Sequence, residues 1–283
     1  MMKIKSAVFI LMMFVVAAGP ALEGALKDDI KIELVEKRYE QLSAAGLQLV
    51  YYLNLTNSSG KTYRLTSYTF RFVVNEIEYF RLPQKDAGAL RIDPNKSTMI
   101  KLPVQITYDR LFQAIPEVKD LDLVPCYIMG EMEFSERRRS RGSLPFAFSA
   151  QFPIYEQPLL SIEPLKANSL TIGGADLNFQ YLLQNPNSIL LELDELDYEL
   201  RFGGHTIQKK KIYNVGEVQE QGEKLFALQL LFNFYEVGQD IQGLLKLETM
   251  NCRLTGHIVF NSAWGQIPMA FDVERRVPIV KNE

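Results

Sequence analysis

The stretch that decides the fold runs Leu177-Asn-Phe-Gln-Tyr-Leu-Leu-Gln-Asn-Pro-Asn187, then Ser188-Ile-Leu-Leu-Glu-Leu-Asp-Glu-Leu-Asp-Tyr198, then Glu199-Leu-Arg-Phe-Gly-Gly204. Leu177, Phe179, Tyr181 and Leu183 alternate with Asn178, Gln180 and Leu182, and Tyr198, Leu200 and Phe202 alternate with Glu199 and Arg201. A period of two built from aromatic and branched residues is the signature of a strand with one face in a core and one in water. Gly203-Gly204 suits a two-residue hairpin, because glycine accepts positive φ. At Asn185-Pro186-Asn187 the asparagines can bond nearby backbone while proline fixes φ and withholds a donor, so one strand ends there and the chain crosses to another.

The same text occurs earlier. Tyr51, Leu53, Asn57-Ser58, Tyr68, Phe70-Arg71-Phe72 and Ile77 match Tyr181, Leu183, Asn187-Ser188, Tyr198, Leu200-Arg201-Phe202 and Ile207, 130 residues on. Cys126, Gly130 and Phe134 match Cys252, Gly256 and Phe260 at 126, and Pro145-Phe-Ala-Phe148 answers Pro268-Met-Ala-Phe271. A period this long indicates a duplicated domain, since solenoid units run roughly 20–50 residues. Leu47 to Leu55 and Tyr68 to Phe72 carry the same alternation. Each half also predicts one short helix. Tyr108–Ile115 presents Leu111, Phe112 and Ile115 on one face before Pro116, and Phe234–Leu245 presents Val237, Ile241 and Leu244 or Leu245. Short strands with frequent turns predict an all-β protein of two tandem antiparallel sandwiches. Residues 26–157 form the first and 158–283 the second. The join lies at Phe152-Pro-Ile-Tyr-Glu-Gln-Pro158, bracketed by prolines that a central strand does not tolerate.

With Asn185-Pro186-Asn187, the strand before it, the Tyr198-Glu-Leu200 strand after it and the glycine hairpin in this order, residues 158–280 resemble the water-stress and hypersensitive-response (WHy) domain of the group 2 late-embryogenesis-abundant (LEA type 2) proteins. The first half departs from that pattern, with Thr56 answering Pro186 and Val73-Val74 answering the glycine pair; its match to the second half carries its assignment. The resemblance implies a seven-stranded sandwich of fibronectin or immunoglobulin shape with one helix. It implies no catalytic residues and no cofactor, and a role in stress tolerance by binding or stabilising other macromolecules.

Composition agrees with ordinary globular chemistry, at 47% apolar and 23% charged. A net charge of −3 argues against a general nucleic-acid binder, which carries a basic footprint. Residues 1–25 read as a secretory signal peptide: Lys3 and Lys5, an apolar run from Ala7 to Ala18, then Gly19-Pro20-Ala21. Its run is shorter than the ~20 residues of a usual membrane span, and an uncleaved N-terminal anchor is the alternative. The expected product is exported, to the periplasm or beyond, and monomeric. The two cysteines, at matched positions, are expected to be separately buried thiols rather than a bridge.

The search for chemistry returns little. His205 and His257 with two separated cysteines do not suggest a zinc site, and no nucleophile elbow, phosphate loop or metalloprotease motif occurs. The acidic run Glu192–Glu199, alternating with Leu191, Leu193 and Leu196, reads as a solvated strand edge, and no metal is expected. Basic residues gather at Lys209–Lys211, at Arg275-Arg276 and above all at Arg137, Arg138, Arg139 and Arg141, between two strands. That hairpin tip has no counterpart at Asn261-Ser-Ala-Trp-Gly265, so it is the candidate for binding an anionic surface or an envelope protein; the plain alternative is a solvated loop. Trp264 at the matching tip is open to contact or burial. Asn54, Asn57 and Asn95 fit the glycosylation pattern, which has meaning only in a eukaryotic host. The expected protein is non-enzymatic, with a structural subunit of an envelope complex as the alternative.

Overall fold

The computed structural model describes residues 23–137, 139–237 and 239–281. The signal reading therefore lies outside the described residues up to position 22, and the first described element is α1 (Glu23–Asp29), which places Leu26 in the core. The rest is almost entirely strand: β1 (Ile30–Ser43), β2 (Gly46–Asn57), β3 (Tyr63–Val74), β4 (Ile77–Ile92), β5 (Lys96–Thr107), then α2 (Tyr108–Ala114), β6 (Leu123–Glu136) and β7 (Arg139–Pro153). After the join come β8 (Leu159–Ile162), β9 (Leu165–Leu170), β10 (Gly174–Gln184), β11 (Leu191–Phe202), β12 (His205–Val218), β13 (Glu223–Asn233), α3 (Phe234–Val237), α4 (Gln239–Leu245), β14 (Thr249–Ser262) and β15 (Gly265–Lys281). No helix among the described residues is long and apolar enough to cross a membrane.

β1-β2-β5 face β4-β3-β6-β7 in the first half; β8 or β9, β10 and β13 face β12-β11-β14-β15 in the second. All partners run antiparallel except β15 and β9, whose short parallel pairing from Ile279↔Leu165 to Lys281↔Ala167 joins the two layers of the second half into one sheet. No strand of residues 30–153 pairs with a strand of residues 159–281 among the described residues. The expected all-β sandwich architecture is therefore what the chain adopts. Inward residues of both layers meet in interiors dominated by Tyr51, Phe72, Phe134 and Phe152 on one side of the join and Phe179, Tyr181, Phe202 and Phe260 on the other. Each such side chain, fully withdrawn from water, contributes about 1.5–3 kcal/mol.

The two halves repeat each other in hydrogen-bond register. Gly46↔Thr107 in β2–β5 is matched by Gly174↔Asn233 in β10–β13. Val74↔Cys126 in β3–β6 is matched by Phe202↔Cys252 in β11–β14. Even the bulges coincide, between Leu65 and Ser67 and between Leu193 and Glu195. This corrects the sequence alignment. β6 and β14 do correspond at 126 residues, but β2 and β3 correspond to β10 and β11 at 128, so Leu53 matches Tyr181 and Phe70 matches Tyr198. Phe146, opposite Gly130, matches Phe271, opposite Gly256. A slip of two residues keeps every side chain on its own face, so alternation alone does not detect it.

The corrected register renames two turns. Asn75-Glu76, with φ of 46° and 68°, is the counterpart of Gly203-Gly204 at 50° and 92°. Both are two-residue hairpins with positive φ at each central position. The counterpart of Asn185-Pro186-Asn187 is Asn57-Ser58-Ser59. Asn57 donates from Nδ2 to the carbonyls of Lys61 (2.7 Å) and Asp93 (3.0 Å) and accepts from the Ser59 amide (3.0 Å). Asn185 donates to Ile189 (2.7 Å) and Gln219 (3.0 Å) and accepts from the Asn187 amide (3.0 Å). A buried amide holding its own loop closed and tying it to the next one is what both sandwiches share there.

The acidic run is not a sheet edge. β11 lies between β12 and β14, and the bulge at Leu193/Glu195 turns Leu191, Leu193, Leu196, Tyr198, Leu200 and Phe202 all inward. The carboxylates point outward and meet β12, where Glu199, Tyr198 and Asp197 lie opposite Lys209, Lys210 and Lys211. Lys211 pairs with Glu195 at 2.6 Å. The helical segments also differ in detail. α2 stops before Pro116, which opens a short 3-10 turn to Val118, and the second helix comes as α3 and α4 on either side of residue 238.

Candidate functional site

Three places hold the polar side chains that the sequence singled out. The first is the β6–β7 hairpin. Arg137 takes the left-handed conformation (φ 46°) that closes the turn. Arg138 lies outside the described residues. Arg137 and Arg139 are exposed, and neither has an ion-pair partner among the described residues. Arg141 differs, its Nη2 lying 2.5 Å from Oε2 of Glu136, whose side chain is only 11% exposed. The structure thus leaves Arg137 and Arg139 facing solvent and folds Arg141 back onto the sandwich.

Tyr63 connects this hairpin to the start of the folded chain. Its hydroxyl donates to Asp29 Oδ2 at 2.5 Å, and Lys61 Nζ reaches the same oxygen at 3.3 Å. Burial and then the Asp29 bond push the Tyr63 hydroxyl well above its ordinary value; Glu136 adds to this and Arg141 opposes it. The end of α1 is therefore fixed beside the arginine tip. Lys61, Arg64, Arg91 and Lys96 lie on this same end, where β1, β3 and β5 begin and β4 finishes. The carboxylates among them are Asp28, Asp29, Asp93 and Glu136, with Asp93 facing Arg91 (2.5 Å) and Lys96 (3.9 Å). One end of a chain whose net charge is −3 is thus predominantly basic.

The second place is the join. Asn187 accepts from the Glu156 amide and donates to the Glu156 carbonyl, both at 2.8 Å, and donates to Asn185 Oδ1 at 3.0 Å. Its side-chain amide thus copies one rung of a sheet ladder against the connecting strand. From the other half, the Tyr108 hydroxyl donates to the Pro153 carbonyl (2.9 Å) and accepts from the Tyr155 amide (3.2 Å). Asn185 and Asn187 are buried and their amides are committed to backbone, so they act as a clamp on the connection, not as an open binding site. The Tyr108 contact has no signal in the sequence, because it depends on which side of α2 meets the join.

The third place is a cleft of about 400 Å³ between Lys37, the Asn75-Glu76 turn, Cys126 and Gln151. Cys126 lies at its base with its Sγ 3.8 Å from the Tyr51 hydroxyl. Burial pushes its thiol up to about 12, against smaller opposing effects of Tyr51 and Lys37. Cys252 is likewise pushed up to about 12 by burial. Both are free thiols and protonated at neutral pH, without nucleophilic character.

The remaining candidates are dispersed. His205 sits at the β11–β12 turn and His257 on the outer side of β14, both exposed. Among the described residues no group of three His, Cys, Asp or Glu side chains could hold a metal ion. Arg275 donates to the Ile162 carbonyl (2.7 Å) and Arg276 to Thr249 Oγ1 (2.8 Å), so both serve their own sandwich. Trp264 is half-buried against the core. Asn57 is fully buried with its amide committed, which closes it to glycosylation.

Residues 181–275 match the family model described as "Late embryogenesis abundant protein". No curated protein matches the chain. Among solved structures, the chain is similar to a protein from Archaeoglobus fulgidus at 10% identity and a TM-score of 0.35, over 44% of this chain and 97% of that one. It is also similar to the structure titled "pT26-6p" at 9% identity and a TM-score of 0.24, over 93% of this chain and 69% of that one.

Proposed function

We propose that this is a non-enzymatic, exported protein of late-embryogenesis-abundant type, with two tandem WHy-like sandwiches that bind or stabilise other macromolecules under stress such as desiccation. The observation that carries this reading is where the polar motif of the matched region goes: Asn185 and Asn187 are spent on closing a turn and gripping the join, leaving surface and not chemistry as the means of action. The family match over residues 181–275 supports it. Mixed with a drying-sensitive enzyme at equal concentration, the chain should preserve activity through drying and rehydration beyond the same mass of serum albumin. Equal recovery in the two samples would sink the stabilising role.

The open edge of β13 favours a second reading, a structural subunit of an envelope complex. This strand ends its sheet and presents Leu225 and Leu231, the latter 76% exposed, beside unpaired backbone. Such an edge accepts a strand from a partner. Cross-linking in intact cells separates the two: a subunit yields one partner in fixed ratio, a stabiliser yields a monomer with scattered contacts.

A further inference from the structure

The arginine hairpin and the end of α1, the element that follows the N-terminal apolar segment in the sequence, meet at one end of the first sandwich. Asp29, the last residue of α1, is bonded to Tyr63, and Tyr63 lies within electrostatic reach of Glu136 and Arg141 at the foot of the hairpin. Residues 6–22 contain no charge, and Ala7–Ala18 is wholly apolar. Ala18 and Glu23 are five residues apart, a span of at most about 18 Å at full extension. A bilayer that held the apolar segment would therefore lie within that span of the start of α1, whose last residue is fixed beside the foot of the hairpin.

We propose that Arg137 and Arg139 dock this end of the protein on the anionic headgroups of the membrane from which the apolar segment emerges. Three observations point to a lipid surface as the occupant. The segment that precedes α1 in the sequence has the chemistry of a membrane, and α1 ends beside the foot of the hairpin. The tip stands at the end of two long strands, which suits a flat surface and not a small ligand. The guanidinium groups of Arg137 and Arg139 are unpaired among the described residues while Arg141, nearer the sandwich, is neutralised by Glu136. Together with Arg137, Arg139 and Arg141, the basic side chains Lys61, Arg64, Arg91 and Lys96 outnumber the carboxylates Asp28, Asp29, Asp93 and Glu136, so the local field attracts anions although the chain as a whole is acidic. The second sandwich ends its matching hairpin in Asn261-Ser-Ala-Trp-Gly265, without charge, so the device belongs to the copy next to the apolar segment. The proposal rests on the proposed export and, of the two readings of residues 1–25, takes the uncleaved N-terminal anchor.

The test uses the full chain and sedimentation with vesicles of phosphatidylcholine alone or with 30% phosphatidylglycerol. Each arginine near an anionic surface strengthens attachment about fivefold, so Arg137→Ser with Arg139→Ser should weaken binding to the anionic vesicles about 25-fold and leave binding to neutral ones unchanged. Raising salt from 0.05 to 0.5 M should abolish the preference of the wild type for anionic vesicles. Lys209→Ser with Lys210→Ser, the same loss of charge on the other sandwich, should change nothing. Wild-type binding that is indifferent to lipid charge, an arginine variant that binds as wild type, or a lysine variant that loses as much, overturns the proposal. The variants change exposed residues, and an unshifted thermal melt confirms that they fold. The drying assay above is independent of lipid, so failure here leaves the stabilising role standing and failure there leaves docking standing.

Discussion

Replacing Asn187 by Ala should loosen the join between the sandwiches more than it unfolds either one. The substitution deletes three bonds: from the Glu156 amide at 2.8 Å, to the Glu156 carbonyl at 2.8 Å, and to Asn185 Oδ1 at 3.0 Å. The Asn187 backbone amide still reaches Asn185 Oδ1, so the turn keeps its own closure. A net bond contributes about 0.5–1.5 kcal/mol, which puts the loss at about 2–3 kcal/mol, most of it at the join. Ser59 occupies the corresponding position in the first sandwich, but its hydroxyl bonds only within its own turn, to Asn57 Oδ1 and from the Lys61 amide. Ser59→Ala should therefore cost about 1 kcal/mol and leave the join untouched. Cleavage by a glutamyl endopeptidase after Glu156 reads the difference. When opening is fast relative to cleavage, the rate follows the open population, so 2–3 kcal/mol should accelerate cleavage at this bond about 30- to 150-fold. Ser59→Ala should leave that rate alone. If Asn187→Ala is cut after Glu156 no faster than Ser59→Ala, the side-chain clamp is not what holds the connection.

Three further outcomes follow from single sites. Tyr181 is fully buried and its hydroxyl has no hydrogen-bond partner among the described residues, whereas its ring stacks on Phe226, so Tyr181→Phe should raise stability to urea by about 1 kcal/mol; a loss of that size would refute the unsatisfied hydroxyl. Glu76 is held at φ 68° where its counterpart is Gly204, so Glu76→Gly should stabilise the first sandwich by about 0.5–1 kcal/mol in the same assay, relieving strain less the entropy that glycine adds to the unfolded chain. The two thiols give a pH dependence. Their folded pKa values, raised by burial to about 12, exceed the unfolded ones, so the stabilisation is intact below roughly pH 8.5. It is lost as pH rises, at about 1.4 kcal/mol per unit per thiol until the folded group ionises. Cys126→Ala with Cys252→Ala should flatten urea stability measured from pH 8.5 to 10.5, and an unchanged slope would assign the dependence to the tyrosines.

The fold was legible because alternation is a local property, and strands such as β10 and β11 display it. Register was not. A two-residue slip preserves inside and outside, so Tyr51 aligned with Tyr181 as convincingly as with its true counterpart Phe179. Only groups that are intolerant of a slip fix it. Gly130 and Gly256 are such a pair, because a Cβ there would stand 1.9 Å from the Thr69 carbonyl oxygen and 2.1 Å from that of Asp197. The Asn75-Glu76 turn was missed for a different reason: positive φ is usually announced by glycine, and here an asparagine and a glutamate accept it. The acidic run read as an edge since charges on both neighbouring positions suggest water on every side. The bulge at Leu193/Glu195 and the lysines of β12 supply the partners that sequence order conceals. The arginine tip was legible as a hairpin, whereas its nearness to α1 depends on tertiary contacts through Tyr63.

A duplicated chain sorts its own residues. What recurs at matched register is architecture: the turn amides Asn57 and Asn185, the glycines against backbone carbonyls, the bulges of β3 and β11, the buried thiols facing strand ends. Selection for function must act on what does not recur. Two such departures stand out, and in matched register they sit at the same end of the sandwich, where the loop of Ser59 or Asn187 lies near the β6–β7 or β14–β15 turn. In the second copy that end carries the connection, because an asparagine stands where the first copy has Ser59 and reaches the chain that enters it. At the free end of the first copy the turn between β6 and β7 is arginine-rich where the second has Trp264 folded down onto the core. The first difference ties the second sandwich to the connecting chain; the second gives the first sandwich an exposed basic end beside α1. Exchanging Glu136–Arg141 for the uncharged turn of the second copy would preserve the scaffold and remove only the private feature. Loss of attachment to anionic vesicles without loss of thermal stability is the outcome that this division of roles requires.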